Sequence, residues 1–259
     1  YQEKKQFDLS IKAFQKCIEI MPDYAEAHLN LGLCYLLIGD YENGWREYEW
    51  RRKLLKESND KLTKEWSGQN LENKTLLVLD EGADGNLIHF IRFIRELKKE
   101  SCKVIVQCSE EAMSLIKNQK WIDKAITADE YPEHDFYIPI GSLMNVLKYN
   151  PNHHEQTFPY IEVDTDKMSK DNTDQVSIGL VFETDRNSNA HDDESIDPGF
   201  FENIFNEEHN VICLDKYVTS ETLPDYCSKH ISYSNLEELS TLICNLDLVI
   251  TVDHLVAHL

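Results

Sequence analysis

The sequence predicts a helical repeat region followed by an α/β region, and three observations lead to this fold class. The first is a repeat with a period of 34 residues near the start of the chain. The second is an alternation of short apolar runs with amphipathic helical patterns from about residue 74 onwards, which predicts a parallel sheet. The third is a restart of this alternation after the polar run TDKMSKDNTDQ, which predicts a second α/β unit.

The repeat is visible as matching positions along the first fifty-odd residues. Three positions have a counterpart 34 residues later: Ser10 and Gly44, Phe14 and Tyr48, and Cys17 and Arg51. The remaining positions of the pattern are filled by Leu31, Gly32, Tyr35, Gly39 and Tyr41. A period of this length is the signature of the tetratricopeptide repeat, in which small residues let paired helices approach and large ones fill the gap. An ordinary helical hairpin would not reproduce the offset, so we predict tetratricopeptide helices over residues 1–56.

The α/β region begins after a polar linker at 57–73. The first Rossmann-like unit is predicted over 74–165, with strands in KTLLVLDE, KVIVQCS, KAITAD and DFYIPI and helices in NLIHFIRFIRELKK and EEAMSLIKNQ. A second linker at 166–174 leads to another Rossmann-like unit over 175–259, with strands in VSIGLVFE, NVICLD and DLVITVD and helices in PGFFENIFNEE and NLEELSTLICNL. This second unit is predicted to be incomplete.

Composition narrows the class of function. Asp and Glu outnumber Lys and Arg by 47 to 26, which gives a net charge of -21, and so acidic a surface repels nucleic acid and anionic lipid. The seven cysteines form no CxxC motif, which favours a reducing, cytoplasmic location. No apolar run is long enough to span a membrane. Because the sequence starts at Tyr1 without a methionine and stops in an apolar run at Leu259, we expect a fragment of a longer chain.

Several landmarks occur in an order that resembles a known family. GDYENGWREYEWR, WSGQNLENKTLLVLDEG, VSIGLVFE, ICLDK and LDLVITVDHLVAHL look like tetratricopeptide proteins fused to a glycosyltransferase domain. That domain is similar to the heptosyltransferases (glycosyltransferase family nine) and, more distantly, to the O-linked N-acetylglucosamine transferases. The resemblance implies a GT-B architecture of two Rossmann-like domains, the first for the acceptor and the second for a nucleotide-sugar. It implies no other cofactor, and it implies repeats that recruit a protein or glycan acceptor.

The resemblance also implies a catalytic base in the loop after the first α/β strand. In the family this loop reads roughly E-Q-G-x-G-D-x-I-x-F, and its Asp would take the proton of the acceptor hydroxyl. Asn86 stands at that position, and an amide cannot accept a proton near neutral pH. Asp84 and His89 are the nearby substitutes. An alternative is that Gly82 and Gly85 only permit a tight turn from strand to helix.

A donor site for the nucleotide-sugar is implied in the second Rossmann-like unit. Its candidate residues are Ser195, Lys216, Asp253, His254 and His258. Lys216 is a basic residue that can reach phosphate, whereas Glu194 stands where an arginine is expected and would repel a diphosphate. Taken alone, Asp253 is also typical of an ordinary helix N-cap. His254 and His258 are spaced like zinc ligands but lack the glutamate of the zincin motif, so no metal site is predicted.

Two functions follow from these residues. The first is transfer of a sugar from a nucleotide-sugar to an acceptor that the repeats recruit, and retained Lys216, Asp253 and His258 favour donor binding. The alternative is a catalytically inactive relative that acts as a protein-binding or scaffolding module. Asn86 and Glu194 favour this alternative, as does His254 in place of a threonine.

Overall fold

A computed structural model of the chain describes residues 6–55, 62, 64–82, 84–97, 101–153, 159–164, 175–182, 195–216, 218–219, 221–252 and 254–259. They form a mixed helical and parallel-sheet α/β fold. The chain divides into two compact units. The first unit comprises Tyr1–Glu81, Phe90–Gln107 and Ala128–Tyr160, and the second comprises Gly82–His89, Cys108–Thr127 and Ile161–Leu259. Within the described part, no helix is both long and apolar enough to cross a membrane.

The chain begins with four helices: α1 (Phe7–Ile20), α2 (Ala25–Leu37), α3 (Tyr41–Tyr48) and α4 (Arg51–Leu55). The start of α3 is fixed by Asp40, whose side chain accepts a hydrogen bond from the backbone N–H of Asn43. Helices α2 and α3 approach closely at two glycines. A Cβ atom on Gly32 would lie 2.8 Å from the backbone nitrogen of Tyr48. A Cβ atom on Gly44 would likewise lie too close to the side chain of Leu36. The small residues of the repeat pattern therefore set the spacing of these two helices.

The large residues of the repeat pattern differ in their burial. Leu31 is buried, and four aromatic residues are half-buried: Phe14, Tyr35, Tyr41 and Tyr48. A buried histidine adds a polar contact that the pattern did not predict. The ring of His28 stacks on Trp50 with centroids 3.6 Å apart, and its Nδ1 lies 2.6 Å from Glu47 Oε2.

The first sheet contains strands β1 (Lys64–Glu65), β2 (Thr75–Leu79), β3 (Lys103–Gln107), β4 (Lys124–Ile126) and β5 (Phe136–Pro139). Its strand order is β1-β5-β2-β3-β4. The pairs β1–β5, β2–β3 and β2–β5 are parallel. Buried apolar side chains fill β2 and β3, as expected for parallel strands covered on both faces. The helices of this region are α5 (Asp84–Phe90), α6 (Ile94–Leu97), α7 (Glu110–Lys117) and α8 (Leu143–Val146).

The second sheet has four strands: β6 (Val176–Val181), β7 (His209–Cys213), β8 (Lys229–His230) and β9 (Leu248–Thr251). They are parallel and lie in the order β8-β7-β6-β9. Helix α9 (Leu236–Cys244) begins at Asn235, whose side chain accepts a hydrogen bond from the backbone N–H of Glu238. One face of the sheet is covered by a core cluster consisting of Leu180, Phe182, Phe201, Val211, Cys213, Val218 and Cys227.

Three predicted helices differ from the structure. The helix predicted in PGFFENIFNEE is wrong, because only a 3₁₀ turn at Pro198–Phe201 forms and the following residues are turns and irregular backbone. The single helix predicted in NLIHFIRFIRELKK is interrupted by a 3₁₀ turn at Ile91–Phe93 between α5 and α6. The closing motif forms a 3₁₀ turn at Leu255–His258 instead of an α-helix. In the first case Pro198 and Gly199 open the segment, and Asp197 caps a tight turn by accepting from the Gly199 N–H.

A buried ion-pair network ties α4 to the first sheet inside the first unit. The guanidinium of Arg51 donates to both oxygens of Glu81, at 2.9 and 3.1 Å, and to the hydroxyl of Ser142 at 3.0 Å. Glu81 also accepts from the backbone N–H of Gly141 at 2.7 Å. Burial lowers the pKa of Arg51, but the facing Glu81 carboxylate outweighs this effect and the pKa stands above its usual value. The network holds the carboxyl ends of β2 and β5 together.

Candidate functional site

The loop that follows β2 leads directly into α5, and Gly82–His89 belong to the second unit. Gly82 has φ +85, a left-handed conformation that favours glycine, so the turn accounts for this residue. Asn86 lies in the first turn of α5 with an exposed side chain. It is therefore accessible at the position where the resemblance implies the base, but its amide offers no site for a proton.

Asp84 is tied to the start of α7. The hydroxyl of Ser109 donates to Asp84 Oδ2 at 3.0 Å, and the same oxygen of Ser109 accepts from the backbone N–H of Ala112 at 3.1 Å. The hydroxyl of Ser109 thus caps the N-terminus of α7 and also holds the Asp84 carboxylate by a hydrogen bond. This contact fixes the orientation of the Asp84 carboxylate beside the start of α7.

His89 lies at the end of α5 and meets the closing motif within the second unit. Its Nδ1 is 3.3 Å from Nδ1 of His258, and the two rings form an edge contact with centroids 4.7 Å apart. Gly85 packs beside the same turn, because a Cβ atom added there would lie 3.7 Å from the Cβ of Leu255. The sequence-predicted loop and the closing motif are therefore in contact.

His254 has a structural role in the closing turn. Its side chain caps the 3₁₀ turn by accepting a hydrogen bond from the backbone N–H of Val256 at 3.3 Å. Asp253, which was predicted as a donor-site residue or an N-cap, lies outside the described residues.

Lys216 is engaged by a carboxylate of α7. Its Nζ donates to both oxygens of Glu111, at 2.8 and 2.9 Å, and 42% of the lysine side chain remains exposed. The preceding residue, Asp215, is buried and accepts a hydrogen bond from the backbone N–H of Phe182. Asp215 therefore joins the ends of two strands, while Lys216 presents its ammonium group at the surface.

The other predicted donor residues lie in a segment that is described only in part. Ser195 is exposed, directly after the stretch 183–194 that is outside the described residues. Glu194 belongs to that stretch, so its predicted repulsion of a diphosphate remains a prediction.

Two features of the site could not be found in the sequence. Glu111 and Ser109 approach the predicted residues from positions far away in the chain, and neither belongs to a local motif. The second unit also contains a cavity of about 400 Å³. It is lined by Leu115, Asn118, Lys120, Glu162, Val163, Asp164 and Glu237. Three of these seven side chains are acidic, and Lys120 pairs with Glu162 at 2.8 Å.

Comparisons with known proteins identify a repeat and a fold. The family model of the TPR repeat matches residues 1–39, which confirms the predicted repeat character there. The fold resembles two crystal structures of the dodecameric, iron-containing TibC. One, the heptosyltransferase in complex with ADP-D-beta-D-heptose, is 12% identical and has a TM-score of 0.55 over 73% of this chain and 56% of that chain. The other, a glycosyltransferase from enterotoxigenic E. coli H10407, is 14% identical with a TM-score of 0.51 over 71% and 54%.

These comparisons establish a glycosyltransferase-like fold for a chain that spans just over half the length of TibC. No curated protein matches the sequence. The described residues contain no group of three or more His, Cys, Asp or Glu side chains placed to hold a metal ion, so they do not fit an iron centre with that many such ligands.

Proposed function

We propose that this chain transfers a sugar from a nucleotide-sugar donor to an acceptor that its N-terminal helices recruit. The observation that carries the proposal is the contact between the loop after β2 and the closing motif, seen at Gly85 and Leu255 and at His89 and His258. The family resemblance assigns these two segments to opposite sides of one reaction centre. We further propose a GT-B architecture, which the two parallel sheets support. We also propose a cytoplasmic location, which the lack of CxxC motifs among the seven cysteines supports.

An inverting transfer needs a base for the acceptor hydroxyl and a positive group for the leaving diphosphate. We assign the base to Asp84, because its carboxylate lies two residues from the base position that the resemblance implies and is held in place by the hydroxyl of Ser109. His89 is the alternative base, although its Nδ1 already faces His258. Lys216 is the proposed contact of the diphosphate, and Ser195, Asp253 and His254 are proposed as further donor-site residues.

The test is sugar turnover by the full-length protein with a panel of nucleotide-sugars. We expect Asp84→Asn to reduce turnover by about 10²–10⁴-fold, which is the usual contribution of a positioned base. Glu110→Gln is the matched control, since it makes the same carboxylate-to-amide change at an exposed position of α7. If His89→Gln abolishes turnover while Asp84→Asn leaves it unchanged, the base assignment passes to His89.

A catalytically inactive, protein-binding relative is the second candidate. The observations that favour it are the exposed amide of Asn86 at the base position and the neutralisation of Lys216 by Glu111. This candidate predicts weak nucleotide binding without sugar transfer. It also predicts that the double change Asn86→Asp with Glu194→Arg creates turnover, because it restores a carboxylate and a phosphate-binding cation together. Turnover by the unchanged protein would exclude this candidate.

A further inference from the structure

Arg51 uses all the hydrogen-bonding capacity of its guanidinium group inside the first unit. Its Nε and Nη2 donate to the two oxygens of Glu81 at 2.9 and 3.1 Å, and Nη2 also donates to the hydroxyl oxygen of Ser142 at 3.0 Å. Its Nη1 donates to the backbone carbonyl of Tyr48 at 3.3 Å and to Glu49 Oε1 at 3.2 Å. An arginine has five N–H donors in a rigid planar fork, so these contacts hold the side chain in one orientation.

The groups around the guanidinium are restrained as well. Glu81 Oε2 also accepts from the backbone N–H of Gly141 at 2.7 Å, and the hydroxyl of Ser142 donates to Glu49 Oε2 at 2.8 Å. A Cβ atom on Gly141 would lie 2.6 Å from Glu81 Oε2 and 2.7 Å from Arg51 Nη2. The glycine at this position therefore makes room for the ion pair.

Neither stability nor the repeat pattern accounts for an arginine at position 51. A buried ion pair can often be replaced by apolar residues of similar volume without loss of stability. One repeat period earlier, the corresponding position is filled by Cys17, which is small and uncharged. A fully hydrogen-bonded polar network, in contrast to an apolar contact, fixes the orientation of its members.

The orientation of Glu81 matters because of its place in the chain. Glu81 lies two residues after the end of β2 and directly before Gly82, whose φ of +85 turns the backbone towards α5. We propose that Arg51 is a positioning residue, which fixes the turn at Gly82 through its hydrogen bonds to Glu81. The proposed base, Asp84, follows this turn after two residues. A reacting group has to be held within about 0.5 Å of its productive place by neighbours that are themselves locked.

The order parameter of the Gly82 backbone amide, measured by ¹⁵N relaxation in the full-length protein, tests the proposal. The double variant Arg51→Met with Glu81→Gln removes the ion pair without leaving the Glu81 charge buried and unpaired. We expect the order parameter of Gly82 to fall from about 0.85, which is typical of rigid backbone, to below about 0.6. The matched control is Arg52→Met with Glu65→Gln, which makes the same two changes in a more exposed ion pair and should leave Gly82 unchanged.

Sugar turnover is the second readout, and it alone rests on the proposed function. The double variant of Arg51 and Glu81 should lower kcat per mole of folded protein by about 10²-fold, which is the usual cost of a misplacement of about 1 Å. The KM for the nucleotide-sugar should stay unchanged, because the substitutions leave Lys216 intact. If wild type turns over no sugar, the proposed function fails, while the order parameter of Gly82 still decides the role of Arg51.

Two results would overturn the proposal. One is a wild-type order parameter for Gly82 in the double variant, and the other is an equal fall throughout β2 and β3, which would mean that the ion pair only stabilises the first unit. Circular dichroism checks that each variant is folded. If the double variant does not fold, Arg51→Lys decides, because it keeps the charge beside Glu81 but replaces the planar fork by a single ammonium group. A smaller fall at Gly82 is then expected, and an unchanged order parameter refutes the role of Arg51.

Discussion

At the residue scale, the buried pair of Arg51 and Glu81 is the contact with the largest expected energy. Both side chains are almost fully enclosed, at 8% and 7% exposure. Arg51→Met should lower the free energy of unfolding by about 3–5 kcal/mol, because it leaves the Glu81 carboxylate buried without a counter-charge. Urea denaturation measures the change.

A neighbouring arginine provides the control for this prediction. Arg52 pairs with Glu65 at 2.7 and 3.0 Å, but these side chains are 28% and 38% exposed. Arg52→Met should therefore cost only about 0–1 kcal/mol. Equal costs for the two variants would show that burial does not set the energy of the Arg51 pair. The double change Arg51→Met with Glu81→Gln should recover part of the free energy of unfolding that Arg51→Met alone loses.

The ion pair between Lys216 and Glu111 leads to a prediction about donor affinity. If Lys216 contacts the diphosphate, the nucleotide must compete with Glu111 for the ammonium group. Glu111→Gln should tighten ADP binding by up to about fivefold, since a half-exposed pair is worth at most about 1 kcal/mol. Calorimetric titration measures the affinity, and Glu110→Gln, an exposed neighbour in the same turn, is the control. Looser or unchanged binding in Glu111→Gln would argue against a phosphate role for Lys216.

The sequence identified where site residues stand but not what they contact. Asn86, Lys216 and His258 were found because each lies in a motif that can be read along the chain. The partners Glu111 and His89 are 105 and 169 residues away from Lys216 and His258, respectively. Residues so far apart in sequence come into contact only when whole helices and strands pack together. No local sequence pattern could therefore have indicated that Glu111 neutralises Lys216.

At the element scale, the contact of α2 with α3 gives a prediction with an unusual sign. An alanine inside a helix is normally about 1 kcal/mol more favourable than a glycine. Gly32→Ala should nevertheless destabilise the protein by about 1–3 kcal/mol, because its Cβ would meet backbone atoms of Tyr48 and Gly44 that cannot move independently. Thermal unfolding measures the change. If Gly32→Ala stabilised the protein, the close approach of α2 and α3 would be contradicted. The control is Glu42→Ala on the exposed face of α3, which adds no side chain to this contact.

The core of the second sheet predicts a dependence on alkaline pH. Burial raises the pKa of Cys213 to about 12 and that of Cys227 to about 11. An unfolded thiol titrates at about 8.5, so both groups contribute stability that is complete below that pH and falls as the pH rises towards the folded values. The urea midpoint of the second unit should decline between about pH 8.5 and 11. The urea midpoint of the double variant Cys213→Ala with Cys227→Ala should decline less steeply over this pH range. An equally steep decline in the variant and in wild type would show that these two thiols do not cause the pH dependence.

The strands were predicted best where burial imposes a simple pattern. Strands β2 and β3 appear as unbroken apolar runs because parallel strands covered on both faces tolerate few polar residues. Strands β1 and β8 were missed, since Lys64–Glu65 and Lys229–His230 are short and polar and show no apolar pattern. The segment after Pro198 has helical amphipathicity, yet it forms only a 3₁₀ turn, in which Phe201 is buried and Phe200 is 75% exposed. Tertiary packing at Phe201 decides that conformation.

At the scale of the whole molecule, the net charge of -21 opposes the approach of any nucleotide. This field acts over the Debye length, which is about 30 Å at 0.01 M salt and about 8 Å at 0.15 M. A single lysine that is paired with Glu111 cannot reverse it at long range. The proposed donor therefore has to enter against a repulsive potential, unlike most anionic ligands, which are drawn towards basic sites.

The association rate of an anionic nucleotide should consequently rise with ionic strength. We expect the rate for a fluorescent ADP derivative to increase several-fold between about 0.01 and 0.15 M salt, because added ions screen the repulsion before the ligand arrives. The same fluorophore on uncharged adenosine is the matched control and should show no such increase. Stopped-flow mixing measures both rates under identical conditions. A rate for the ADP derivative that falls with salt would mean that local positive charge dominates the overall field, and the donor site would then be more basic than Lys216 alone can make it.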